Sequence, residues 1–186
     1  MPDTTTLIAL LASRSARRGT FTLASGKTST LYIDARLTTM SPEGLALIGP
    51  LSLEIMRAHE WRADSVGGLT LGADPIAYAI SYASTATEFP VRAFTVRKEA
   101  KSHGTGKVIE GPFQSGDRVV IIEDVITTGG SAARAVEAVS AAGGKPVGVL
   151  ALVDREEGGR EALVASTGLP VVSIVRASEI VARMPP

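Results

Sequence analysis

The chain has no cysteine, so it carries no disulfide framework, no thiolate metal site and no cysteine nucleophile. It has no net charge either: 19 basic side chains balance 19 acidic ones, which argues against nucleic acid as the main partner. No stretch approaches the roughly 20-residue apolar run of a membrane span. The opening Met-Pro-Asp-Thr-Thr-Thr lacks the basic start and apolar core of a secretory signal. These absences predict a cytoplasmic protein that works on neither membranes nor nucleic acid. Lysine and histidine are scarce, with five and two residues against fourteen arginines. Their placement is informative, because three of the lysines and one histidine fall between positions 98 and 107.

What is present is ordinary globular composition, 45% hydrophobic and 20% charged. At 186 residues, with no internal repeat and no interdomain linker, one domain over 1–186 is expected. Apolar runs alternate with helical patterns. Helices are expected over 4–13, 42–59, 76–87, 132–142, 161–166 and 177–183, and strands over 63–69, 91–97, 119–122, 146–153 and 170–175. Residues 19–36 read as two short strands around a polar turn at 25–29. Ser41 is placed as an N-cap, with Pro42 at the first helical position. Strands alternating with helices predict an α/β domain with a mainly parallel central sheet flanked by helices.

The most informative stretch is Arg118-Val-Val-Ile-Ile-Glu-Asp-Val-Ile-Thr-Thr-Gly-Gly-Ser131. A continuous β-branched apolar run reads as a strand covered on both faces. Glu123 and Asp124 fall at its carboxyl end. Thr127, Thr128, Gly129, Gly130 and Ser131 then bend the chain into an alanine-rich helix of high propensity. The unpaired N–H groups of a helix start, a glycine turn and three hydroxyls make a cradle for phosphate or diphosphate. Two carboxylates beside it suit a ligand bearing vicinal hydroxyls, or a bound Mg²⁺. Each piece alone has a plain reading, solubility for the acids and an ordinary turn for Gly-Gly. It is the order that is specific.

Elsewhere the signals are weaker. The strand-turn-helix at 63–75, through Gly67-Gly68 and Gly72-Ala-Asp-Pro75, is a second possible anion site, although such glycines usually serve close packing. Gly26-Lys27-Thr28 is not the tail of a nucleotide P-loop, because Phe21 stands where the first glycine would be. Residues 98–112 have no apolar face; their lysines, His103 and glycines suit a lid that closes over an anion. Arg155 follows a buried strand at the end where parallel sheets bind ligands, and a surface ion pair is the alternative there.

Strand, Glu-Asp, then Val125-Ile126-Thr127-Thr128-Gly129-Gly130-Ser131 closely resembles the motif with which type I phosphoribosyltransferases bind 5-phosphoribosyl-1-diphosphate (PRPP). Phe21-Thr-Leu-Ala-Ser-Gly-Lys-Thr-Ser, Tyr32-Ile-Asp-Ala-Arg36, Gly68-Leu-Thr-Leu-Gly-Ala-Asp-Pro75, Arg97-Lys-Glu-Ala-Lys-Ser-His-Gly-Thr-Gly-Lys107 and Asp154-Arg155 are similar, in order, to segments of the orotate phosphoribosyltransferase family. The resemblance covers nearly the whole chain, and the Arg-Lys-Glu-x-Lys-x-His-Gly loop is its most specific piece. It implies the type I fold, with a small hood formed by the N- and C-terminal segments. It also implies a Mg²⁺-dependent reaction of orotate with PRPP giving orotidine 5′-monophosphate and diphosphate, in de novo pyrimidine (UMP) biosynthesis.

By the same resemblance, PRPP would be bound by Arg97, Lys98, Lys101, His103 and the run from Glu123 through Ser131. Asp124, Glu123, Lys101 and His103 would carry catalysis. Orotate would meet Thr127, Arg155, Lys27 and Tyr32, with Arg155 on its carboxylate. Mg²⁺ would be held by PRPP and water, without a direct protein ligand. A homodimer is implied, with loop 98–111 reaching the neighbouring site. Two departures stand out. Ala24 replaces a lysine that some members carry, leaving Lys27 two residues past the serine, and Gly72-Ala-Asp-Pro75 replaces a Lys-Gly-Ile-Pro diphosphate loop. Purine phosphoribosyltransferases share the chemistry but carry different loops. A non-catalytic PRPP sensor would need a nucleic-acid-binding region, for which a neutral chain of this length has little room.

Overall fold

The computed structural model describes residues 4–22, 28–99 and 107–185, so Lys27, Lys101 and His103 lie outside the described residues. The chain opens with α1 (Thr5–Leu10) and a single π turn, Leu11–Ser15. The expected helix over 4–13 is therefore interrupted, because Leu7 and Leu11 are pulled fully into the core and the Ser15 hydroxyl bonds that of Thr38 at 2.7 Å. An antiparallel hairpin follows, β1 (Ala16–Thr22) and β2 (Thr28–Ile33), with a register shift between Arg18 and Phe21.

After a short α2 (Arg36–Thr39), α3 runs Pro42–Ala58; the Ser41 hydroxyl caps it by accepting the Gly44 N–H at 3.1 Å, as its sequence predicts. Next come β3 (Ser65–Leu69), α4 (Ala73–Ser84), β4 (Arg92–Val96) and β5 (Ile109–Glu110). The remainder is β6 (Arg118–Ile126), α5 (Gly130–Ala141), β7 (Lys145–Asp154), α6 (Gly159–Thr167), β8 (Val171–Arg176) and α7 (Ala177–Val181). Helix α4 ends three residues before the expected position. Its Ser84 hydroxyl donates back to the Ser81 carbonyl at 2.7 Å and accepts the Val91 N–H at 2.8 Å, turning the chain toward β4.

Six strands form the main sheet in the order β5-β4-β3-β6-β7-β8, all parallel except β5, which lies antiparallel to β4. The period-2 alternation of side chains sorts the strands into two apolar layers. Val120, Ile122, Leu150 and Leu152 face α3 and α4; Val119, Ile121, Val149 and Ala151 face α5 and α6. That is why these strands read as unbroken apolar runs. The hairpin, π turn and α7 join chain start to chain end, with Arg18 Nη2 donating to the Val181 carbonyl at 3.4 Å. This is the expected hood.

β3 sits between β4, which follows it, and β6, which comes later. The strand order therefore reverses between β3 and β6, and ligands of open parallel sheets bind at the carboxyl ends of such a pair. A cavity of about 1030 Å³, lined by Trp61, Arg62, Phe89 and Arg118 among others, lies at the other end of the sheet, away from those carboxyl ends.

Candidate active site

Two turns leave the switch point side by side. From β6 the strand continues further than expected, through Ile126, so that Glu123 pairs in register with Ala151 and Ile126 with Asp154. The carboxylates are thus held by the ladder itself rather than by a loop. The turn closes at Gly129, whose φ of +79° is open to glycine but costly for other residues. Helix α5 starts there, with Ala133 N–H donating to the Gly129 carbonyl at 3.0 Å. The amides of Gly130, Ser131 and Ala132 have no acceptor within the helix by its own geometry. Thr128 is exposed and Thr127 and Ser131 are half-buried, so the hydroxyls border the amide cluster.

Glu123 is 9% exposed and its Oε2 has no hydrogen-bond partner. Burial first, and the neighbouring Asp124 charge second, push its carboxyl up to about 8. Asp124 is also pushed up by burial; the Val125 N–H at 2.9 Å and the charge of Arg36 oppose the shift. An orphaned buried acceptor beside a second carboxylate is ready for hydroxyl donors.

The second turn, Thr70 to Gly72, comes from β3. An ideal Cβ on Gly72 would stand 2.4 Å from the Asp124 carboxylate carbon, so the turn meets the acid with its bare backbone. The Thr70–Leu71 peptide bond is cis.

Arg155 leaves β7 and its N–H donates to the Ile126 carbonyl at 3.0 Å, tying it to the cradle strand. Its guanidinium is buried; Nη2 donates to Glu157 Oε1 at 2.7 Å and to the Ser29 hydroxyl at 3.1 Å, while Nε has no partner. Arg97 extends β4, its N–H donating to the Val108 carbonyl at 2.8 Å, and Lys98 is exposed beyond it. Tyr32 packs on Phe21, ring centroids 5.3 Å apart, on the opposite face of β2 from Ser29. The structure therefore brings Ser29, not Tyr32, to Arg155.

Comparisons with known proteins bear on the family and the fold. Residues 41–168 match the model of the phosphoribosyl transferase domain. Orotate phosphoribosyltransferase of Aquifex aeolicus is 48% identical over 160 residues, 86% of each chain, and that of Rhodopirellula baltica is 44% identical, covering 92% of this chain and 91% of its own. The chain belongs to the orotate phosphoribosyltransferase family. A crystal structure of the Mycobacterium tuberculosis enzyme superposes with a TM-score of 0.83 at 43% identity, covering 96% of this chain and 99% of that one. A second structure of that enzyme, in complex with PRPP, superposes at 0.77 with 38% identity, covering 97% and 92%.

Two further features of the site carry little signal in the sequence. Asp34 and Arg36 form a two-pronged ion pair, Nε to Oδ1 at 2.8 Å and Nη2 to Oδ2 at 3.0 Å. It holds the guanidinium beside Leu71 in a small groove, with its charge acting on Asp124. The alternation Asp34-x-Arg36 after a strand is the only signal for it. The other feature is Asp74, 7% exposed, which accepts the Thr70 hydroxyl at 2.7 Å and the Thr95 hydroxyl at 2.9 Å. Among the described residues no cluster of three His, Cys, Asp or Glu could hold a metal ion by itself, and no helix is long and apolar enough to cross a membrane.

Proposed function

We propose that the chain transfers the 5-phosphoribosyl group of PRPP to orotate, giving orotidine 5′-monophosphate and diphosphate, as one domain working in the cytoplasm on the route to UMP. The observation that carries the reading is the buried Glu123 with its orphaned Oε2, beside a half-buried Asp124 on the strand that runs into the amide cradle of α5 and is tied to Arg155 through the Ile126 carbonyl. The cradle, Val125 through Ser131, takes the 5-phosphate on N–H groups and hydroxyls. Glu123 and Asp124 accept the vicinal ribose hydroxyls. Arg155, with Thr127, faces the orotate carboxylate, to which its partnerless Nε–H donates while Ser29 and Glu157 hold Nη2 in place. Contacts of Lys27 and Tyr32 with orotate rest on the family resemblance alone.

The difficult step breaks the bond between ribose C1 and the diphosphate oxygen while a ring nitrogen of orotate forms the new one. Positive charge grows on the sugar and negative charge on the leaving group. The adjacent carboxylates orient the ribose and favour its cationic character. Arg97 and Lys98, with Lys101 and His103, supply cations for the leaving diphosphate, and closure of the loop excludes water that would hydrolyse PRPP. The residues fit a Mg²⁺ carried on PRPP and water within the field of the orphaned Glu123 and of Asp124; bound there, it adds positive charge to the diphosphate. The Thr70–Gly72 turn has no cationic side chain and contributes backbone N–H groups.

A homodimer is part of the proposal. Leu37, Met40, Leu71, Tyr78 and Tyr82 are exposed large apolar side chains on α2, the turn and α4, a surface suited to a second copy. To test the loop's crossing, a Lys101→Ala/His103→Ala protein is mixed with an Asp124→Asn/Arg155→Ala protein. Activity should return, to at most about a quarter of wild type for random pairing in a two-fold dimer. No return despite proven subunit exchange means that each loop serves its own site.

The activity itself is tested by offering PRPP and Mg²⁺ with orotate, uracil, adenine or hypoxanthine. Only orotate should turn over. Arg155→Ala should weaken orotate by about 1.5–3 kcal/mol and leave PRPP nearly unchanged, the cost of one charge-assisted contact. Equal use of a base without a carboxylate would overturn the assignment.

A further inference from the structure

We infer that Asp74 is a positioning residue for the leaving diphosphate: its buried carboxylate fixes the Thr70–Gly72 turn from behind, so that the turn's backbone N–H groups are aimed before the ligand arrives. The inference rests on the diphosphate reading of that turn given above and names what shapes it.

Asp74 lies in the first turn of α4, where an acid ordinarily caps or favours the helix dipole. It does not cap: the N-cap residue is Gly72 and no side-chain cap bond is made. Both carboxylate oxygens are instead committed to hydroxyls, Oδ2 to Thr70 at 2.7 Å and Oδ1 to Thr95 at 2.9 Å. A buried carboxylate with hydroxyl donors alone is an expensive way to hold a helix start, where serine or asparagine would serve. Its geometry makes sense through what the two hydroxyls belong to. Thr70 opens the turn, and its own N–H is bound to the Val96 carbonyl at 2.8 Å. Two residues later Gly72 lies so close to the Asp124 carboxylate that a Cβ would overlap it. The turn therefore runs between Asp74, which holds it by a hydrogen bond, and Asp124, which it only adjoins.

Thr95 stands on β4, one residue before Val96 and two before Arg97, where the cationic segment begins. It also meets the Tyr78 hydroxyl at 3.1 Å. One carboxylate thus ties the backbone that would receive the diphosphate to the strand that delivers cations to the same group. Fixed dipoles stabilise developing charge only when they need not reorganise. In a turn without a lysine or arginine, that preorganisation must come from behind.

The test measures binding of inorganic diphosphate and of ribose 5-phosphate, each with Mg²⁺, to the full-length protein and its variants. Thr70→Val should weaken diphosphate about tenfold, the loss of one hydrogen bond to a charged group, and leave ribose 5-phosphate within twofold. Thr70→Ser restores the hydroxyl and should restore diphosphate binding. Asp74→Asn, which keeps shape and volume, should behave as Thr70→Val does, and its kcat should fall with the KM for orotate unchanged. Unaltered diphosphate binding in Thr70→Val, or equal weakening of both ligands that serine does not rescue, overturns the inference while orotate turnover by the unaltered protein leaves the activity standing. No diphosphate binding and no turnover by the unaltered protein would remove the underlying reading, and this one with it.

Discussion

The turns after β3 and β6 are the same supersecondary unit on adjacent parallel strands, yet they are shaped by opposite means. The β6 turn gets its form from the backbone. Gly129 takes a positive φ, and a Cβ there would meet the Gly159 carbonyl at 2.8 Å and Leu163 Cβ at 3.1 Å, so the turn is seated on α6. Its hydroxyls are free to border the amide cluster. The β3 turn has ordinary dihedrals at Gly72, φ −65°, and gets its form from a buried side chain, with the Thr70 hydroxyl pointing inward to Asp74. One turn offers hydroxyls and amides to a phosphate; the other has its hydroxyl engaged and only amides to offer. A glycine at the start of a helix therefore means different things in the two places, conformational necessity in one and close approach in the other.

Substituting each glycine by alanine breaks the comparison open. Gly129→Ala forces a left-handed alanine against α6 and should cost about 2–4 kcal/mol of stability, from strain and overpacking together. PRPP binding should fall with it. Denaturant unfolding and a PRPP titration would show both losses; a stable variant with wild-type affinity would mean that the turn relaxes freely. Gly72→Ala should do the reverse. Its backbone suits any residue, and the atoms it meets are the Asp124 carboxylate, which can swing away. Stability should change by less than about 1 kcal/mol, whereas kcat should fall roughly 100-fold, as a misplacement of about 1 Å at a reacting centre does. If stability and kcat fell in proportion, Asp124 would not be the group displaced.

The β6 turn was legible in the sequence because its whole logic is local. Four β-branched residues, two acids, three hydroxyls and two glycines follow one another, and each local preference agrees with the fold. The β3 turn was only half legible. Its glycines were visible as an anion-site candidate, but Asp74 looks like an ordinary acid in a helix's first turn until Thr95, twenty-one positions away, is seen beside it. Arg36 was hidden for a similar reason: the Asp34 fork is local, but Leu71 and Asp124 reach it only through the fold. The π turn at Leu11–Ser15 and the two-residue β5 were missed because neither has a period of its own. One is set by the packing of Leu7 and Leu11, the other by pairing of Thr95 with Glu110 and Val96 with Ile109. Lengthening of β6 past the acids was missed because carboxylates usually end a strand; here the β7 ladder carries them in.

A pH titration separates the two carboxylates that the turns share. Asp124 is touched by the Gly72 turn and by the field of Arg36, whereas Glu123 is buried with a free oxygen. In the folded protein without ligand Glu123 titrates at about 8, against an unfolded value of 4.5. Between those values the native state binds the extra proton, so stability falls as pH rises, by at most about 1.4 kcal/mol per pH unit, and levels off above about pH 8. The stabilisation is complete below the unfolded value. Ligand binding should run the other way. Ribose hydroxyls donating to Glu123 favour its ionised form, so at pH 7 PRPP should expel a proton and bind more tightly as pH approaches 8. Titration calorimetry in two buffers of different ionisation enthalpy reads that proton directly, and thermal unfolding across pH 5–8 reads the stability slope. Glu123→Gln, which retains the shape, should abolish both. A proton release that persists in Glu123→Gln would move the titration to Asp124, and would make the β3 turn, not the buried strand, the source of the pH dependence.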